Sequence, residues 1–199
     1  MLEKHKFPMV GNTAASVALR QVKPGYIWFP TSAIPDRIGA ELTAFLKANN
    51  VKTAVVLAKI YTGRQEILAL RHGYSGRTHL AMGLTAHSNY RLIPNPIAGI
   101  IHAAAPYCYR CPFGQTYPDC GIKCAQDLEE AIQTQTTGKP AAFLAEPIQG
   151  VGGFIHGPDG LFKAWQEVLE PLGVLFISDE VQTGWGRTGE HFWGYQAHW

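Results

Sequence analysis

Two short apolar runs constrain this chain more than any other feature: residues 141–145, AAFLA, and residues 174–178, VLFIS, each followed at once by an acidic residue, Glu146 and Asp179. Apolar runs without polar alternation are the pattern of strands buried on both faces, which belong to parallel sheets covered by helices. Between the two runs lie a glycine-rich stretch, QGVGG, then Pro158-Asp159 opening a helical segment to about Glu170, then Gly173, a residue suited to a helix end. Strand, loop, helix and strand in that order make a βαβ unit, with parallel strands and a right-handed crossover. The expected fold class is therefore α/β, a mostly parallel sheet with flanking helices.

The rest of the chain is less regular. Gly11, Pro24, Gly25, Pro30, Pro35 and Gly39 interrupt the first 39 residues, and residues 1–45 are left unassigned. From Glu41 a helical period begins with Leu42, Phe45 and Leu46 and continues through Val51, Ala54, Val55 and Ala58 until Gly63. Residues 66–70, EILAL, suit a strand that leads into the turn-rich RHGYSGR, and residues 125–135 suit an amphipathic helix. Residues 88–124, with several prolines and every cysteine, are expected to form one long loop.

Composition excludes several function classes. With 199 residues, 46% of them hydrophobic, the chain can bury one substantial core, and its net charge of +2 includes no basic run that would track a phosphate backbone. No nucleic-acid partner is expected. No apolar stretch approaches the roughly 18–20 residues of a membrane helix, and MLEKHKFPMV lacks the apolar core of a secretory signal, so no membrane partner and a cytoplasmic setting are expected. Cys108, Cys111, Cys120 and Cys124 have the ligand type of a zinc or iron–sulfur site. Free thiols in a surface loop are the favoured reading of that spacing over a structural metal, so no metal ligand is assigned, and His102 is read as packing.

Ligands of open parallel sheets sit beyond the carboxyl ends of the strands, which makes Glu146 and Asp179 the first candidates. Either alone could be a helix cap or a solvated turn. Their surroundings are more specific: LFISDEVQTGWGRTGEHFWGYQ, AEPIQGVGG and YTGRQEILALRHGYSG, in that spacing, resemble class III aminotransferases dependent on pyridoxal 5'-phosphate (PLP), especially the alanine–glyoxylate branch. The likeness runs roughly from Val51 to the C-terminus. It implies the large domain of fold type I, here partial over residues 46–199, with a cysteine-rich insertion at about residues 104–124.

The resemblance also implies roles. Asp179 would hold the pyridine nitrogen of PLP protonated, which lets the ring accept electrons from a breaking bond at the amino acid's α-carbon. Gln182 would bond the phenolic oxygen, Val181 would pack one ring face and Tyr74 the other, and Glu146 would lie near the cofactor. Ser75 stands where the family has histidine. Val151 stands where ornithine and γ-aminobutyrate aminotransferases carry a second glutamate, which points to the alanine–glyoxylate branch. The TGWGRTG block, with Arg187, reads as backbone turns.

Two family features are not legible. The Ser-Gly-x-Glu-Ala-Asn block that binds the cofactor phosphate corresponds to LKANNV, residues 46–51. The lysine that holds the cofactor covalently lies roughly thirty positions past the aspartate in relatives, beyond Trp199, so no catalytic residue is assigned. The expected function is that part of a transaminase moving an amino group from an amino acid such as alanine to a keto acid such as glyoxylate or pyruvate, inactive alone and homodimeric at full length. The competing reading is a non-catalytic relative or a metal-binding module built on the cysteines.

Overall fold

The buried-strand pattern is realised in a computed structural model that describes residues 26–28, 51–94 and 96–198. Five strands form the main sheet: β1 (Tyr26–Trp28), β2 (Ile67–Leu70), β3 (Ile100–Ala103), β4 (Ala142–Ala145) and β7 (Leu175–Ser178). Their order is β1-β7-β4-β2-β3 and every pairing is parallel. β4 and β7, the two runs that flank the expected βαβ unit, are neighbours, with Phe143 opposite Phe176 and Ala145 opposite Ser178.

Alternation along each strand divides the core between two faces. Leu68, Leu70, Phe143, Ala145 and Phe176 point to one side, where they meet α3 (Lys123–Gln135) and α4 (Leu161–Leu169) through Leu128, Ile132, Leu161 and Trp165. Ile67, Ala69, Ala142, Leu144, Leu175 and Ile177 point to the other, where Ala54, Val55 and Ala58 of α1 (helical over residues 51–62) cover them. Burial on both faces explains why these strands carry no polar alternation. Each fully buried large side chain contributes about 1.5–3 kcal/mol from removal of apolar surface from water. Trp165 anchors the α4 face, with ring centroids 5.0 Å from Phe143 and 5.3 Å from Phe162.

Polar bonds fasten the end of the sheet away from the acidic residues. The Arg64 guanidinium donates to the carbonyls of Pro140, Leu172 and Gly173 at 3.0–3.2 Å, and the Glu66 carboxylate accepts from the backbone and hydroxyl of Thr137. These contacts tie together the chain entering β2, β4 and β7.

Two local expectations need correction. Residues 88–124 are not one loop, because IIHA forms the edge strand β3, in register with β2. Its polar residue, His102, sits among apolar neighbours and bonds the Leu84 carbonyl at 3.1 Å. The turn-rich RHGYSGR, residues 71–77, is a loop as expected and leads into a short helix, α2 (His79–Leu84), capped by the Thr78 side chain. The QGVGG stretch belongs to a two-stranded hairpin, β5 (Ile148–Gln149) antiparallel to β6 (Ile155–His156). Within the segment left unassigned, Tyr26–Trp28 pairs along β7 as β1. Residues 46–50, which hold most of LKANNV, and residues 41–45 of the expected helix lie outside the described residues.

Candidate active site

The carboxyl ends of β2, β4 and β7 open on one cleft, with β4 in the middle. Glu146 follows β4 and Asp179 follows β7, so the strand order brings both carboxyl groups to the cleft lining, with Gln149 of β5 and Ser75 of the loop after β2. Asp179 donates its backbone N–H to the Ala145 carbonyl at 2.9 Å, one further step of the ladder between β4 and β7. Its Oδ1 accepts from the Val181 N–H at 3.2 Å, a local turn that holds the carboxyl over the sheet end. The residue is 8% exposed. Burial pushes its carboxyl up to about 6, the Val181 bond opposes that rise, and neighbouring Glu180 adds to it.

Glu146 joins two loops. Its Oε1 accepts from the Tyr74 N–H at 2.9 Å and its Oε2 from the Gly150 N–H at 3.0 Å. Burial raises this carboxyl to about 7, with a smaller push from Asp179, while both backbone bonds pull the other way. The loop after β2 approaches closely here. A Cβ on Gly73 would stand 3.0 Å from the Leu70 carbonyl oxygen and 3.5 Å from Glu146 Oε1, so this position accepts only glycine without adjustment. His72 before it adopts φ 62°, a left-handed conformation uncommon for a residue with a Cβ.

The other expected site residues stand around this centre. Tyr74 is half-buried; its hydroxyl accepts from Arg77 Nε at 3.2 Å and its ring meets Tyr90 edge-on at 5.5 Å. Gln182 reaches towards the hairpin, since a Cβ on Gly150 would lie 3.1 Å from its Oε1. Val181 is 68% exposed, an apolar side chain presented to solvent beside Asp179. Tyr74, Glu146, Asp179, Val181 and Gln182 thus come from the ends of three adjacent strands. The first two are joined by a hydrogen bond, and Asp179 and Val181 by another.

Sequence reasoning missed two polar residues. Glu180 is 2% exposed and accepts from the Ser178 and Thr183 hydroxyls and the N–H groups of Gly194 and Tyr195, so it fastens the segment after the site to the end of β7. Gln149 is 1% exposed and lines the cleft. The available signal was a polar residue directly beside a buried strand end.

The cysteines are free and stand close enough for mutual influence, since Cys111, Cys120 and Cys108 all add to the rise of the Cys124 thiol, which burial pushes up to about 11. Among the described residues no group of three or more His, Cys, Asp or Glu side chains is arranged to hold a metal ion. The described residues also contain no helix long and apolar enough to cross a membrane.

A buried carboxyl group, a partly buried one and a buried amide stand together at the carboxyl ends of a parallel sheet, the place where open α/β sheets bind ligands. Comparison with known proteins narrows the class. Residues 43–198 match the family model described as aminotransferase class-III. The chain is 43% identical over 147 residues to the mitochondrial alanine–glyoxylate aminotransferase 2 homolog 2 of Arabidopsis thaliana, covering 73% of this chain and 29% of that protein. It is 34% identical over 195 residues to a 4-aminobutyrate aminotransferase of Mycobacterium tuberculosis, covering 93% and 40%. That alignment reaches into residues before 43, where the sequence shows no legible block. Among solved structures, an (S)-enantioselective omega-transaminase from Thermomicrobium roseum matches with a TM-score of 0.69 at 38% identity, over 76% of this chain and 35% of that one.

The chain belongs to the class III aminotransferases, a PLP-dependent family of transferases. It spans between 29% and 40% of the length of these two curated relatives.

Proposed function

We propose that these residues form the ring-binding half of a PLP site in a transaminase that moves an amino group from an amino acid to a keto acid, with alanine as donor to glyoxylate, or another amino acid as donor to pyruvate. The observation that carries the reading is the Asp179 carboxyl, buried at the end of β7 with one backbone donor and a cleft in front of it. When bound, PLP supplies an electron sink for the carbanion left at the substrate's α-carbon. The protein residues orient and charge that sink. Asp179 would accept the ring N–H and keep the nitrogen protonated, a charge-assisted bond that burial would strengthen. Tyr74 and Val181 would cover the two ring faces, and Gln182 would donate to the phenolic oxygen. Glu146 sets the loop of Tyr74 against that of Gly150.

Val151 supports the alanine branch. It is an apolar residue in the turn between β5 and β6, where a carboxylate would be needed to pair with a substrate-gating arginine. The 4-aminobutyrate relatives keep amino-acid donors with a distal carboxylate as the competing substrate class. No lysine is among the residues that line the cleft, so residues 51–198 alone bind the cofactor without a covalent bond and transaminate negligibly. At full length the protein is a homodimer.

Titration of the purified chain with PLP tests this directly. Saturable binding is expected, followed by absorbance or fluorescence, with loss of about tenfold or more in affinity for Asp179→Ala. Borohydride treatment should leave no cofactor attached. Unchanged affinity in the variant, or a covalent adduct whose absorption alanine removes, contradicts the reading.

A further inference from the structure

Gln149 closes the inner wall of the cleft, and its side chain is satisfied at one end only. Its Nε2 donates to the Arg71 carbonyl at 2.9 Å, which fixes the orientation of the amide because only the nitrogen can donate. The other end, Oε1, is buried and has no partner among the described residues. A buried carbonyl oxygen without a donor retains the full cost of its lost hydration, so a donor is expected to reach it. The described residues that line the cleft do not offer an obvious one. Glu146 and Asp179 line the same cleft as acceptors when ionised, and Glu146 already uses both oxygens on the N–H groups of Tyr74 and Gly150. Asp179 uses Oδ1 on Val181, and Ser75 is the one hydroxyl side chain lining the cleft.

We propose that Gln149 Oε1 accepts a hydrogen bond from a single water molecule on the cleft floor, which gives its second proton to the Asp179 carboxylate. Gln149 is thereby a positioning residue for the acid beneath the ring nitrogen. The inference rests on the reading of this cleft as the ring site. The space suits it: the cleft has room for about one water molecule among these groups, and a buried water needs roughly two to four polar partners. The amide oxygen and the carboxylate take its two protons, and the Ser75 hydroxyl can donate to its oxygen. Because Arg71 holds the amide, the water is tied to the β2 loop as well as to the hairpin.

The bond has a chemical consequence. A donor to Asp179 favours its ionised form and opposes the effects of burial and of Glu180 beside it, while Glu146, whose own carboxyl Asp179 pushes up, faces the same cleft. Loss of the water should therefore make Asp179 harder to ionise and shift the acid limb of PLP binding to higher pH. Two measurements test this. In a high-resolution crystal structure of the cofactor-free chain, a water is expected at about 2.7–3.2 Å from Gln149 Oε1 and within bonding distance of Asp179. An Oε1 bonded to a protein group, or a reversed amide, overturns the proposal.

The second is PLP titration across the acid limb for the native chain and Gln149→Met, a variant of similar length with no amide acceptor. The midpoint of lost binding should rise by about one pH unit, a tenfold weaker affinity on the limb. A uniform loss of affinity with an unchanged midpoint would mean a merely structural role and overturns the proposal. If Gln149→Met does not fold, the native crystal structure still decides. If the native chain binds no PLP, the ring-site reading fails while the water remains testable in the cofactor-free crystal.

Discussion

Replacing Asp179 by Asn should stabilise the cofactor-free chain at neutral pH while removing its cofactor affinity. The folded carboxyl lies at about 6, against 3.8 for the unfolded chain, and burial is the first cause. Below about pH 4 both states are protonated and the group costs nothing. Between about pH 4 and 6 the unfolded chain ionises while the folded one holds its proton, so stability falls by about 1.4 kcal/mol per pH unit. Above about pH 6 the loss is complete, on the order of 3 kcal/mol. Asn carries no charge at any of these pH values and can keep the Val181 bond through its side-chain oxygen. Its amide protons enter a cleft whose other polar groups are mainly acceptors.

Urea unfolding of the two chains between about pH 4 and 8 should therefore show curves that meet at the acid end. They should separate by up to ~3 kcal/mol above neutrality, about 6–12 °C in Tm for a chain of this size. Glu146 also titrates high and gives both chains a background slope. Removing the Asp179 charge eases that carboxyl too, in the same direction. Excess PLP should reverse the order, because only the native chain gains from ligand binding. A variant no more stable than the native chain at pH 7.5, measured without PLP, would refute the claim that this carboxylate is held against its own solvation for function.

Other consequences are independent of that one. Glu180→Ala removes the carboxylate that four donors share and leaves them unpaired, which should cost about 3–5 kcal/mol in urea unfolding, with residues 193–196 becoming exchange-labile first. Tyr74→Ala should weaken PLP binding by about 1 kcal/mol, roughly fivefold, whereas Tyr74→Phe keeps the ring and should bind nearly as the native chain does. Phe143→Ala empties the centre of the α4 face and should cost about 3–5 kcal/mol without a specific effect on the pH dependence of binding. Replacing all four cysteines by Ser should leave PLP affinity unchanged, and elemental analysis of the native chain should find well under one zinc per molecule. A stoichiometric zinc lost in that variant would restore the metal-module reading.

The sequence was most legible where one physical demand acted alone. AAFLA and VLFIS had to be apolar at every position because helices cover both faces of β4 and β7, and that demand leaves a pattern no other arrangement of this chain explains. β3 was not legible because it lies at the sheet edge, where a half-buried His102 is tolerated and prolines crowd the flanking loops. The hairpin β5–β6 was hidden for another reason: its strands are two residues each and its glycines resemble a loop.

The site shows the same division. Asp179 and Glu146 were singled out because strand ends in a parallel sheet are places where ligands bind. Glu180 and Gln149 were passed over because a polar residue next to a candidate site resembles solvated surface. Burial separates the cases, and it is a tertiary property. Glu180 follows Asp179 directly, yet its side chain serves the fold with four donors, while that of Asp179 keeps one local bond and faces the cleft. A carboxylate fully supplied with donors is finished structure. One buried with a single donor, lining a cleft with an amide oxygen that has none among the described residues, is a group with bonding capacity left for a further partner.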